Sequence, residues 1–167
     1  PARAAASKGL PQAVQSPFCW KGKNPGEPAV LMAHYDVVPV NEEDWSVPAF
    51  DAIIKDGAVW GRGTLDTKVT FGGILFAAER LIGEGFVPEN TVYFAFSGGE
   101  EVNGPGAEHI VDYFEQNKIT PSMVVDEGGA VVENVFPGVK CPCGLIGIAE
   151  KGMMDVEYKA KSAGGHA

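Results

Sequence analysis

The run AVLMAHYDVV at residues 29–38 narrows the fold more than any other stretch, because only His34 and Asp36 interrupt its apolar character. Pro25, Gly26 and Pro28 precede it. A continuous apolar run bounded by turn-forming residues predicts a strand buried on both faces, as in a largely parallel sheet. Polar groups at the carboxyl end of such a strand face a crevice. His34 and Asp36 are therefore the first candidate site residues.

The rest of the chain supports the same architecture. In AIIKDGAVWGRG, Asp56-Gly57 stands between two short β-prone runs and signals a hairpin. VTFGGILFAAERLI, within 67–85, spaces its apolar residues as a helix does, with Gly85 just past the end. TVYFAFS at 91–97, GAEHIVDYFEQNK at 106–118 and SMVVDEGG at 122–129 then read as strand, amphipathic helix and strand. Alternation of this kind predicts βαβ units: an α/β fold, its largely parallel sheet carrying helices on both faces. Beyond Gly129 the rhythm changes. VVENVF, GLIGIAEKG and MMDVEYKAKS follow without a helix between them, and MDVEYKA alternates like an antiparallel strand with one wet face. The expected division is an incomplete domain over 1–151 and the opening of a second over 152–167.

A formal charge of -9 and a pI near 4.7 argue against nucleic acid or an anionic membrane as partner and suit cations. No apolar run reaches the roughly 18 to 20 residues of a membrane-spanning helix. The N-terminal PARAAASKGLPQ has neither an initiator Met nor an apolar signal centre, and KSAGGHA ends without a stop signal, so a fragment is expected at both ends. The sequence leaves the compartment open, with the cytoplasm favoured. Cys19, Cys141 and Cys143 make an odd count with CPC spacing, which fits small buried hydrophobes better than a disulfide framework.

His34, Asp36, Asp66, Glu100, Glu101, Asp126 and Glu127 all fall at or just after predicted strand ends, or at a helix entrance. In an open parallel sheet those ends share one edge, so the residues converge. Each has a plainer reading: His34 as a hydrogen-bonded core histidine, the Glu pair as a solvated turn, Asp66 as a helix N-cap. Together they concentrate negative charge with few cations at hand, Arg62, Lys68 and Lys151 being the obvious ones. A pair of divalent metal ions supplies the missing charge. Asp36 can hold the His34 ring, Asp66 can bridge two ions, and one glutamate can ligate while the other faces a water as general base.

The motifs AHYDVVPV, WGRGTLDTK, FSGGEEVNGPGAE, VVDEGG and SAGGHA, in that order, resemble the zinc-dependent metallopeptidase family of carboxypeptidase S, aminoacylase-1, glutamate carboxypeptidase and succinyl-diaminopimelate desuccinylase. The carboxypeptidase S-like branch is the most similar. The resemblance implies a zinc-exopeptidase-like catalytic domain followed by the opening strand of a truncated α+β lid domain. It implies two zinc ions per complete site, with His34, Asp66, Glu101 and Asp126 as ligands and Asp66 the bridge. Glu100 is then the general base and Asp36 orients His34. His166, in GGHA, matches a lid histidine that stabilises the oxyanion, and the peptide after Asp66 is expected to be cis. A further histidine ligand of the family lies beyond this sequence, and Thr67 stands where many members have a second acid.

The activity implied is hydrolysis of an amide bond in dipeptides or N-acyl amino acids by a metal-activated water. Homodimerisation through the lid in the full-length protein is implied as well. The alternative is a non-catalytic fragment of such an enzyme with an incomplete metal site. His109, beside Glu108 on the second helix, reads as a solvated helix residue.

Overall fold

The computed structural model describes residues 17–152, 154, 156–162, 164 and 165. They fall into two compact units that meet in sequence between Glu127 and Gly128. The first unit contains a four-stranded sheet in the order β1-β5-β2-β6, from Phe18–Trp20, Asn90–Ser97, Asn24–His34 and Met123–Val125. Strand β2 runs parallel to both β5 and β6, while β1 adds an antiparallel outer strand beside β5.

The apolar run at 29–38 thus forms the centre of the sheet, although the strand ends at His34 and begins earlier, at Asn24. Its pairing with β5 shifts between Asn24 and Ala29, across the stretch that holds Pro25 and Pro28. A proline has no N–H to give a ladder, so regular pairing resumes only beyond it.

Helices α1 (Lys68–Gly83) and α2 (Gly106–Gln116) cover opposite faces of the sheet. Successive side chains of a strand point to opposite faces, so Tyr93 and Phe96, three residues apart on β5, cannot share one. The Phe96 ring meets Phe71 of α1 with centroids 4.6 Å apart, and the Tyr93 ring meets Phe114 of α2 at 5.3 Å. Val30, Ala95, Ile110 and Phe114 make the buried core on the α2 side. Gly106 opens α2 because a Cβ there would lie 2.9 Å from Ser97 Cβ and overlap the Gly98 carbonyl. The end of β5 and the start of α2 are therefore in direct backbone contact.

Between β2 and α1 stands the hairpin β3–β4, Ile53–Lys55 with Ala58–Trp60. Its turn residues Asp56 and Gly57 both take positive φ, at 53° and 75°, the arrangement that a two-residue hairpin turn favours. The second unit holds one short antiparallel pair, β7 (Val131–Val132) with β8 (Cys143–Gly144).

Two expectations are corrected. Residues 156–162, most of the alternating MDVEYKA segment and its continuation, take no regular structure. Alternation supplies two faces, but a strand also needs a neighbour for its backbone groups, and none pairs with this segment among the described residues. The cysteines are not core residues either. Cys19 on outer strand β1 and Cys141 are exposed, Cys143 is half-buried, and all three are free thiols.

Truncating the core aromatic should be far more damaging than truncating an outer one. Phe114→Ala is expected to destabilise the chain by about 3 to 5 kcal/mol. Phe18→Ala, at a ring 69% exposed on β1, should stay within about 0.5 kcal/mol. Chemical denaturation of both variants against the wild type checks the contrast.

Candidate metal centre

Parallel pairing aligns the carboxyl ends of the three parallel strands, β5, β2 and β6. His34 ends β2 directly beside Ser97, the last residue of β5, and β6 ends at Val125 beside Leu31. The ladder closes where the Tyr35 N–H donates to the Ser97 carbonyl at 2.9 Å. Each strand then releases its chain into a polar segment on the same edge.

His34 is the centre of the group, with its side chain only 3% exposed. On one side, Nδ1 lies 3.2 Å from the Asp36 carbonyl oxygen and 3.4 Å from Asp36 Oδ1. On the other, Nε2 faces Asp66 Oδ1 at 3.0 Å, Glu127 Oε1 at 3.3 Å and Glu100 Oε2 at 3.9 Å. A carbonyl oxygen can only accept, so Nδ1 carries a proton that it donates to Asp36. Nε2 is then the nitrogen turned to the carboxylates.

This arrangement can be satisfied in two ways. With no cation present, Nε2 must also be protonated, because ionised carboxylates only accept. Burial pulls the His34 pKa down, but Asp66, Glu127, Asp36 and Glu100 together hold it above its ordinary value. Alternatively a metal ion takes the Nε2 lone pair and the carboxylate oxygens together. His34, Asp66 and Glu127 each offer a ligand atom, all within 4.8 Å of one another. One imidazole and hard oxygen donors suit a divalent ion such as zinc.

Arg62 and Lys68, the nearest candidate cations, are engaged elsewhere. Arg62 places its guanidinium over the Trp45 ring, 5.2 Å from the centroid, and its Nε is buried without a partner among the described residues. Lys68 Nζ donates to the Tyr35 carbonyl at 2.7 Å. Among the described residues no lysine or arginine pairs with Asp36, Asp66, Glu100, Glu101 or Glu127. The edge thus collects acid without collecting base, and a cation fits the donor set.

Asp36 does more than face the His34 ring. Its Oδ1 accepts the Glu100 N–H and its Oδ2 the Glu101 N–H, both at 3.3 Å. The short 3-10 turn that carries the Glu pair therefore hangs on one carboxylate from the neighbouring strand end. Gly99 at φ 90° and Asn103 at φ 51° bracket that turn, and Gly104 N–H closes it onto the Gly99 carbonyl at 2.6 Å. Burial, then the nearby Glu127, Glu101 and Asp66, push the Glu100 pKa above its ordinary value against the opposing pull of His34. A carboxyl held up in this way suits proton transfer near neutral pH.

The remaining expected residues fall as follows. Asp66 is not a helix cap: Thr67 holds the N-cap position of α1, and the Asp66 carboxylate turns to His34. The Asp66-Thr67 peptide is cis. Asp126, the expected ligand, accepts the Glu127 N–H on its Oδ1 at 2.8 Å, and the Glu127 carboxylate lies 3.3 Å from His34 Nε2. Adjacent side chains diverge at a strand end, and where the strand stops decides which acid faces inward; β6 stops at Val125. Glu101 joins through its amide on Asp36, and its carboxylate is outside the His34, Asp66 and Glu127 group. His166 lies outside the described residues. His109 is exposed on α2, as expected.

A mostly parallel sheet with helices on both faces makes this an α/β fold, and the donor set at its strand ends could hold a metal ion. The chain belongs to peptidase family M20/M25/M40, whose sequence profile it matches over residues 30–165. It is 36% identical over 151 residues to the human (Homo sapiens) N-fatty-acyl-amino acid synthase/hydrolase PM20D1, a match covering 90% of this chain and 30% of that protein. It is 40% identical over 155 residues to the probable carboxypeptidase S-like 2 of Dictyostelium discoideum, with the same coverage of 90% and 30%. Among solved structures, an M20 family metallo-carboxypeptidase, Sso-CP2 from Sulfolobus solfataricus, superposes with a TM-score of 0.56 at 29% identity, covering 68% of this chain and 25% of that one. The chain thus spans about 30% of the length of these curated relatives. Membership of this family implies a metal cofactor.

Two outcomes follow from the geometry. Glu127→Gln should weaken zinc uptake by about 10-fold or more, while Asp126→Asn should change it less, as read by calorimetric titration. In chelated protein, His34 and Glu100 both have raised pKa values, so both favour the folded state at low pH. The melting temperature of the metal-free chain should therefore fall as pH rises from about 6.5 through the raised His34 pKa, and His34→Asn should flatten that slope.

Proposed function

We propose that this chain is the metal-binding part of a hydrolase that cleaves the amide bond of dipeptides or N-acyl amino acids. The observation that carries the reading is the convergence of Asp66, Glu127 and Glu100 on Nε2 of His34. Family membership and the names of the two relatives, an N-fatty-acyl-amino acid synthase/hydrolase and a probable carboxypeptidase S-like protein, support it.

In this reading His34 and Asp66, with Glu127 or Asp126 beside them, would hold one zinc ion, and Asp66 with Glu101 would hold a second. When bound, zinc supplies positive charge that polarises a carbonyl and lowers the pKa of a water. The protein's residues do the rest. As a water attacks the scissile carbonyl carbon, Glu100 takes its proton, then gives that proton to the departing amine nitrogen as the C–N bond breaks. Asp36 keeps Glu100 in place through the paired amide bonds and presents the neutral His34 ring with Nδ1 protonated. His166 and a lid domain, with dimerisation through it, belong to the same proposal for the longer protein.

The 30% coverage favours a second reading for the 167-residue chain taken alone, in which it binds metal without turning substrate over. Both readings are tested together. In the full-length protein, Glu100→Gln should lower kcat by about 100-fold to 10,000-fold while zinc content is unchanged. Unaltered turnover in that variant would remove Glu100 as the base. The chain alone should bind zinc but release no product from an N-acyl amino acid, and turnover by it would overturn the second reading.

A further inference from the structure

We infer that Lys68 is a positioning residue for this centre: its ammonium fixes the spacing between the strand end that carries His34 and the turn that carries Asp66. The inference rests on the reading that His34 and Asp66 hold a cation. Lys68 opens α1, two residues after Asp66, and its Nζ donates to the Tyr35 carbonyl at 2.7 Å. Tyr35 directly follows His34, and its N–H is already given to Ser97 at 2.9 Å. The backbone leaving His34 is therefore held from two sides, through its N–H by β5 and through its C=O by the start of α1.

The local backbone is shaped to let the lysine make that reach. Lys68 N–H donates to the Gly63 carbonyl at 3.0 Å, and Gly63 sits at φ 82°. A Cβ at residue 63 would overlap Val37 Cγ1, so glycine both takes the left-handed conformation and lets the turn lie close to Val37 while it receives the Lys68 N–H.

The lysine tie differs from the direct His34–Asp66 hydrogen bond in one respect. That bond needs a proton on Nε2, which must leave when the Nε2 lone pair binds a cation. The Lys68 bond uses neither ligand atom, so it persists in the metal-bound state and keeps the two segments at one separation. Lys68 is also exposed, so its substitution leaves the core intact.

The test compares Lys68→Met, Lys68→Arg, His34→Ala and the wild-type chain. Zinc affinity is read by calorimetric titration and the melting temperature of each metal-free protein by circular dichroism. Lys68→Met should weaken zinc binding by about 10-fold, and Lys68→Arg should restore most of it, while the metal-free melting temperatures of both match the wild type. Lys68→Met binding zinc as tightly as the wild type, or losing affinity only in step with its melting temperature, overturns the lysine's role. If His34→Ala binds zinc as the wild type does, the metal-centre reading itself fails, and this inference with it. If His34→Ala loses zinc and Lys68→Met keeps it, the lysine alone is refuted.

Discussion

The buried imidazole of His34, with acceptor oxygens against both of its nitrogens, is the constraint around which the rest of this edge is arranged. One nitrogen can be satisfied by a proton shared with a backbone carbonyl. The other meets three carboxylates within 3.9 Å, and only a positive charge makes that assembly tolerable. A proton supplies the charge in the metal-free state, and in the proposed metal-bound state a divalent ion would supply it. Metal uptake is thus a competition with protonation, governed by the same side chains in both cases.

The sheet explains why such an arrangement can be built at all. Parallel strands deliver their carboxyl ends to a common edge, and the polar chain segments that leave them cannot avoid meeting there. The strain of gathering like charges is offset by hydrogen bonds to backbone amides as well as by cations. Asp36 is the clearest case: its two oxygens take two consecutive amides of the Glu pair, so an acid from one strand end pins the acids of the next.

Much of this was legible in the chain itself. The apolar run at 29–38, the Asp56-Gly57 turn and the helical spacing after Asp66 each encode their element locally, and each formed as its pattern implies. The convergence of His34, Asp66 and Glu100 followed from strand ends in a parallel sheet. What strand patterning left open was which of the adjacent Asp126 and Glu127 faces the site, since two neighbouring carboxylates have the same chemistry. The MDVEYKA segment shows the complementary limit. Its alternation is a statement about side chains, whereas pairing depends on a partner elsewhere in the chain, which no local pattern reports.

Strand β6 has an implication for handling the chain. It is an outer strand of the sheet, and Met123, Val124 and Val125 expose apolar side chains beside an edge that pairs with no other strand among the described residues. Such a rim is a template for adding another extended segment, and nothing charged within it blocks that addition. Dilution series therefore belong beside every equilibrium measured on this molecule.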